Sequence, residues 1–245
     1  MSRTIVKVKK KFGTAVVTHK LIENNDRILV AVSGGKDSLV MLKLLSDIKK
    51  KFPISYKLLA CHLQNDLSPL DIREKTTTYL QKIFTEWDIE YIMEDLPVGA
   101  TSAEDKKLGC FWCSWQRRKR LFELCKKHGM NKLALGHHRD DINETLLMNL
   151  FYHGKLATMP IKLSMFNDTL TLIRPMAYVG EKEIRTTASN WELTVTQCSC
   201  PYAQFSKREY LKELIDRLEK EYNKNIRGTL FNAARFDRID PTYLH

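Results

Sequence analysis

Four short stretches of this sequence concentrate residues able to do chemistry. Ser33-Gly34-Gly35-Lys36-Asp37-Ser38 joins two glycines to two hydroxyls, a lysine and a carboxylate. Cys110 and Cys113 enclose Phe111-Trp112, and Cys198 and Cys200 stand one residue apart much later. Gly136-His137-His138-Arg139-Asp140-Asp141 sets two imidazoles beside two carboxylates.

The first stretch suits a polyphosphate. Glycines let a backbone approach a ligand closely and aim successive N–H groups at it. Ser33 and Ser38 add hydroxyl donors, and a helix starting here would add positive potential. Asp37 would repel bare phosphate, so a bridging Mg²⁺ is the expected companion. The plainer alternative is a tight turn capped by Ser or Asp. The Walker pattern does not fit, because its lysine and hydroxyl follow a longer glycine-rich run.

The cysteines suit a metal. A two-residue gap lets Cys110 and Cys113 face one ion or cluster. All four clustered cysteines could hold structural zinc, or three thiolates could hold a [4Fe–4S] cluster with one iron left open. Spacing does not choose between them, and plain packing of buried thiols is the third alternative. Cys125 shares a helical face with Leu121 and Phe122, and Cys61 lies inside an apolar strand, so both read as core. In the histidine stretch, Asp140 and Asp141 suit either Mg²⁺ or the cap of a following helix.

The elements that must position these groups alternate. Strands are expected over 27–32, 56–63, 90–94, 132–136 and 170–173, and helices over 37–49, 72–87, 114–128, 141–151, 181–190 and 206–222. The expected fold is α/β: a doubly wound, mostly parallel five-stranded sheet with helices on both faces and small helical segments at either end. A basic arm or helix over 1–25, a catalytic domain over 26–195 and a C-terminal helical segment over 196–245 divide the chain. The first strand-to-helix turn and the loop after the fourth strand then share the carboxyl edge of the sheet, where ligands bind in such folds.

Among 245 residues, 43% are hydrophobic and 28% charged, values typical of a globular domain. No uncharged apolar run approaches the ~20 residues of a membrane helix, and no signal-peptide pattern opens the chain. A cytoplasmic protein without membrane contact is expected. The net charge of +11 favours a polyanionic partner. Arg117, Arg118, Lys119 and Arg120, and separately Lys9, Lys10 and Lys11, are the candidate nucleic-acid contacts; a solvated helix face is the plainer reading of such a run. Trp112 and Trp115 either stack on a flipped base or shield the group held by the cysteines.

Taken together, SGGKDS at 33–38, CFWCSWQRR at 110–118 and GHHRDD at 136–141 resemble the tRNA 2-thiocytidine synthetase family of the N-type ATP pyrophosphatase (PP-loop) superfamily. GKLATMPIKL at 154–163, Arg174-Pro175, Glu181–Ile184 and the tail over 228–244 extend the resemblance. It implies an adenine nucleotide alpha hydrolase-like fold and ATP cleaved to AMP and pyrophosphate. It also implies a [4Fe–4S] cluster on Cys110, Cys113 and Cys200, and a cytidine at tRNA position 32 as substrate. A cysteine desulfurase would supply sulfur, and related enzymes are often dimers. Ser33, Gly34, Gly35, Lys36, Asp37 and Ser38 would hold ATP and Mg²⁺ with Asp140 and Asp141, and His137 would line the nucleotide site. The segment Leu63–Leu70 and the residues after Cys200 depart from the family pattern. Lysidine-type modification, thiolation or desulfuration of another base, and a zinc-stabilised RNA-binding module are the rivals; the uridine enzymes usually carry zinc-ribbon cysteines that this chain lacks.

Overall fold

A computed structural model describes residues 2–49, 53–99, 110–194 and 207–234. The strands are β1 (Asp26–Ala31), β2 (Tyr56–Asn65), β3 (Glu90–Leu96), β4 (Lys132–Ala134), β5 (Lys162–Met165) and β6 (Leu170–Ile173). They form one sheet in the order β3-β2-β1-β4-β6-β5. Every pairing is parallel except β5 with β6. The sheet therefore has six strands where five were expected. β5 escaped the sequence pattern because it is an edge strand whose residues are largely exposed, so no apolar run marks it.

The helices are α1 (Arg3–Thr18), α2 (Lys36–Lys49), α3 (Leu70–Glu86), α4 (Cys110–Lys127), α5 (Arg139–His153), α6 (Glu181–Asn190), α7 (Lys207–Glu221) and α8 (Ile226–Ala233). Strand alternation sorts them onto two faces. Ile28 and Val30 of β1 join a core with residues of α1, α2, α3 and α6, while Leu29 between them faces Leu121, Leu124 and Cys125 of α4. α5 packs instead with α7 and α8 through Leu147, Leu211 and Ile215 and through Ile142, Leu146 and Phe231.

The basic arm expected over 1–25 is, from Arg3 to Thr18, a helix of the main core: Val8, Phe12 and Val16 are buried. Each such side chain contributes about 1.5–3 kcal/mol by leaving water, which explains why a lysine-rich segment holds against the sheet. No helix among the described residues is long and apolar enough to cross a membrane.

Candidate active site

The strand order reverses between β1 and β4, so the connections leaving their carboxyl ends flank a natural crevice. Those connections are the Ser33–Ser38 loop and the Gly136–Asp141 stretch, and they touch. A Cβ on Gly136 would lie 3.2 Å from the backbone nitrogen of Ser38; glycine is what permits the approach. Gly34 adopts a left-handed φ of 86°, which turns the chain into α2.

The loop is braced by its own hydroxyls. Ser33 N–H donates to Ser38 Oγ at 3.1 Å, and Ser38 Oγ donates to the Gly35 carbonyl at 2.9 Å. Lys36 Nζ lies 3.3 Å from both Asp37 Oδ2 and Glu181 Oε1, joining the loop to α6. Burial raises the Glu181 carboxyl, but Lys212 and Lys36 outweigh it and hold the group at about 2. Asp37 is different. Its Oδ1 is buried without a hydrogen-bond partner among the described residues, and His138 Nε2 stands 3.6 Å away. A buried carboxylate oxygen left so is costly unless something cationic is held there. With the α2 N-terminus beside it, the arrangement fits a cation-bridged phosphate.

His138 is the buried N-cap of α5. Its N–H donates to Asp141 Oδ2 at 2.9 Å, and Asp141 Oδ1 accepts from Arg208 at 3.3 Å. A chain of contacts thus runs from Asp37 through His138 and Asp141 to Arg208 at the start of α7. His137 accepts a hydrogen bond on Nδ1 from Arg174 Nε at 3.2 Å, which requires a neutral ring there. Burial and the Arg174 charge lower its pKa to about 4, although Asp141 opposes them.

Asp140 is 4% exposed and turned into the scaffold. It accepts from Glu181 N–H at 2.8 Å and pairs with Arg227 Nε at 2.6 Å. Arg227, 7% exposed, also meets Asp216 and Glu219. Replacing Arg227 by Met takes from buried Asp140 its nearest cation and leaves it the Glu181 amide at 2.8 Å and Arg139 at 3.8 Å, so urea unfolding should show a loss of about 3 kcal/mol. Adding Asp140→Asn should recover part of it. An unchanged unfolding midpoint in the single variant would contradict this role.

Glu144, one turn along α5, is 5% exposed. Burial, followed by the neighbouring Asp141 and Asp140, pushes its pKa up to about 7 against the pull of Arg208 and Lys212. The folded state then keeps a proton that the unfolded chain loses near 4.5. The sign follows: this group's contribution to stability falls as pH rises from about 4.5 to 7. His137 acts oppositely, because its lowered pKa makes stability rise between about 4 and 6.5. Comparing Glu144→Gln with the parent separates the two. The variant should gain of order 3 kcal/mol relative to the parent on going from pH 4.5 to pH 8, read from denaturant unfolding without nucleotide. A pH-independent difference would exclude the raised carboxyl.

On the other side of the loop lies a cleft of about 240 Å³ lined by Ser33 and Gly35, by His62 and Asn65 at the end of β2, by Arg73 and Thr76 of α3, and by Arg117 of α4. His62 Nδ1 donates to the Val32 carbonyl at 2.8 Å, so Nδ1 carries the proton. Burial, with Arg117 nearby, lowers the His62 pKa even against that hydrogen bond. Arg73 reaches Asp95 at 2.9 Å. Sequence reasoning did not single out His62, Arg73, Glu144 or Arg208 as site residues. His62 left a signal: it is a polar residue that follows the apolar run Leu58–Cys61 toward the carboxyl end of its strand. The stretch Leu63–Leu70, which departs from the family pattern, supplies part of this wall.

α4 begins at Cys110, so the Cys pair sits in the helix's first turn and not ahead of it. Cys113 is half-buried, and Arg117 follows it by one turn. Cys61 and Cys125 are core thiols, pushed up to about 12 by burial. Cys198 and Cys200 lie outside the described residues. Within the basic run, Arg117 faces the cleft and Arg118 and Lys119 are exposed. Arg120 is spent on Glu94 at 2.6 Å and Glu123 at 2.9 Å. In α1, Lys9 pairs with Asp47 at 2.8 Å and Lys11 with Glu183 at 2.7 Å, while Lys10 is exposed.

Comparison with known proteins adds to this geometry. A family model described as a PP-loop domain matches residues 4–218. The tRNA-cytidine(32) 2-sulfurtransferase of Aliivibrio fischeri (strain MJ11) is 35% identical, the match covering 97% of this chain and 76% of the relative. That of Citrifermentans bemidjiense is 34% identical, covering 97% and 92%. Among solved structures, the U34-tRNA thiolase NcsA from Methanococcus maripaludis, with its [4Fe–4S] cluster, superposes with a TM-score of 0.81 at 25% identity, covering 97% of this chain and 81% of that one. An NMN synthetase from Francisella tularensis, at 11% identity and a TM-score of 0.57, shares the fold.

Proposed function

The chain belongs to the PP-loop family that includes the tRNA-cytidine(32) 2-sulfurtransferases, and from that premise we propose that it is an ATP-dependent enzyme converting a tRNA cytidine to 2-thiocytidine, at position 32. One observation carries the reading: Ser33 and Gly35 of the phosphate loop line the same cleft as Arg117, one turn after Cys113 on the cysteine helix. Nucleotide chemistry and sulfur chemistry need to meet at one base, and Arg117 in this cleft is the observation that supports a meeting there.

Cytosine C2 resists substitution because its oxygen is a poor leaving group. In the proposed reaction that oxygen attacks the α-phosphorus of ATP, and pyrophosphate leaves. A sulfur nucleophile then adds to C2, the C2–O bond breaks, and AMP departs with the oxygen. The glycine backbone of Gly34 and Gly35, the hydroxyl of Ser33 and the first amides of α2 bind the phosphates, while Ser38, its hydroxyl given to the Gly35 carbonyl, holds the loop in shape. Lys36, already between Asp37 and Glu181, holds the loop to α6. Asp37, with its unpartnered Oδ1, is the residue that would hold Mg²⁺, and Asp141 is the second carboxylate on that side. Asp140, saturated by Arg227 and the Glu181 amide, acts by fixing α5 against α6 and α8. His137, held neutral, lines the site without adding a competing charge.

The Cys pair is chemically suited to an iron–sulfur cluster. Cys110 and Cys113 occupy the first turn of a helix, where the N-terminal potential favours thiolates, and Cys200 is proposed as the third ligand. A cluster held by these three thiolates would supply the sulfur-transfer chemistry. A cysteine desulfurase is proposed as the sulfur source, and the cytoplasm as the compartment. Arg118, Lys119 and Lys10, exposed, are proposed to meet the RNA backbone.

The test is mass analysis of tRNA nucleosides from cells with and without the gene, repeated with anaerobic purified protein, ATP and a sulfide source. 2-Thiocytidine that appears only with the protein and ATP supports the reading. 2-Thiouridine in its place, or a colourless zinc protein without thiolation, would overturn it.

A further inference from the structure

Two exposed rings lie on the solvent face of α4, directly beside the Cys pair. Phe111 is 78% exposed and Trp115, one turn on, is 42% exposed. Trp115 is not loose: Trp112 stacks on it, with centroids 5.3 Å apart and planes at 13°. Trp112 in turn packs against the core between α4 and the sheet. The next turn on the same face carries Arg118 and Lys119, and Lys119 Nζ lies 5.7 Å from the Trp115 centroid. Phe111, so exposed, contributes little to the packing of the fold.

The stripe has a direction. Its aromatic end is at the cysteines and its cationic end points away. Bases offer flat π faces and phosphates offer charge at about the spacing of one helical turn, so the pattern matches an unpaired nucleotide. A protein partner would want a broader apolar surface, and the flanking cations argue against it. On a chain of net charge +11, the complement is anionic.

We propose that Phe111 and Trp115 form a stacking platform for an unpaired base next to the reacting one in the RNA loop, with Arg118 and Lys119 on its phosphate. This rests on the reading of the substrate as a tRNA loop. Trp112 is a positioning residue that fixes the plane of Trp115.

The experiment measures binding of an anticodon stem-loop RNA to the anaerobically prepared full chain by fluorescence anisotropy. Phe111→Ala and Trp115→Ala should each weaken binding roughly 10- to 100-fold, within the range known for base–aromatic stacking. Trp115→Tyr should restore it to within about threefold. Iron content and melting temperature report folding. Phe111, having little packing to lose, keeps the test decisive if Trp115→Ala folds poorly. An abasic site at one loop position should weaken the parent and abolish the penalty of the Ala variants. Wild-type affinity in both Ala variants, or a change of oligomeric state with RNA affinity intact, would overturn the platform. Ring-dependent binding without thiocytidine formation would instead sink the proposed reaction while leaving the platform standing.

Discussion

Asp37→Asn is expected to cut ATP cleavage roughly 100- to 1,000-fold, about 3–4 kcal/mol of transition-state stabilisation. The expectation comes from one atom. Asp37 Oδ1 is buried and unpartnered among the described residues, at the N-terminus of α2 and 3.6 Å from His138 Nε2. In the proposed reaction a bridging cation on the phosphates would meet that oxygen. The amide keeps the shape and removes the charge. Stability should change little, since the charge removed is paired on one oxygen with Lys36 and unpartnered on the other. Pyrophosphate release across a Mg²⁺ titration checks it: the variant should lose rate and demand more Mg²⁺. Cleavage within threefold of the parent would mean that Asp37 is only a helix-capping residue.

Cys113→Ala should be the second severe change, and of another kind. Thiolation should fall by about three orders of magnitude, as expected for removal of a ligand to the proposed cluster. Iron content and visible absorbance should fall with it, while ATP binding persists because the phosphate loop is built by β1 and α2. The fold survives, since α4 is anchored further along by Leu121, Leu124 and Cys125. Cys125→Ala is the control. That thiol is 1% exposed and inert, so its loss should lower stability by about 1 kcal/mol or more and leave iron in place. Full iron loading and thiolation in Cys113→Ala would remove the Cys pair from the site.

The two severe changes fall on motifs that local pattern made legible. Glycine and hydroxyl residues between an apolar run and an amphipathic one announce a phosphate loop, because loop, strand and helix are all short-range features. The same reasoning placed the GHHRDD stretch at the same sheet edge. What the sequence hid was long-range. Asp140 meets Glu181 and Arg227, and Asp141 meets Arg208; nothing near any of these residues in sequence announces the partner. The basic runs hid partners for a related reason: Arg120, Lys9 and Lys11 look like free cations until Glu94, Asp47 and Glu183 fold against them. β5 was missed because an exposed edge strand needs no apolar face. α8 falls inside the expected C-terminal helical segment but was given no bounds of its own, because Gly228 interrupts its pattern, yet Phe231 packs it against α5. The start of α4 was set too late because Phe111 and Trp112 favour strand as readily as helix by propensity.

The linkage of loop, histidine stretch and α7 gives the site its unity. Lys36–Glu181–Lys212 and Asp37–His138–Asp141–Arg208 both end on α7. α7 follows directly on the segment that carries Cys200. Contacts at the phosphate loop are thus connected, through two short chains of charged groups, to the element leading out of the proposed cluster segment.

The most direct measurement follows a single oxygen. An RNA carrying ¹⁸O at C2 of the target cytidine is incubated anaerobically with the protein, ATP and a sulfide source, and the AMP is analysed by mass spectrometry. The account predicts one ¹⁸O in AMP for each 2-thiocytidine formed, and none in pyrophosphate. Thiocytidine formed with unlabelled AMP, or label recovered in water or phosphate, would contradict adenylation of the base and with it the role given to the Ser33–Ser38 loop.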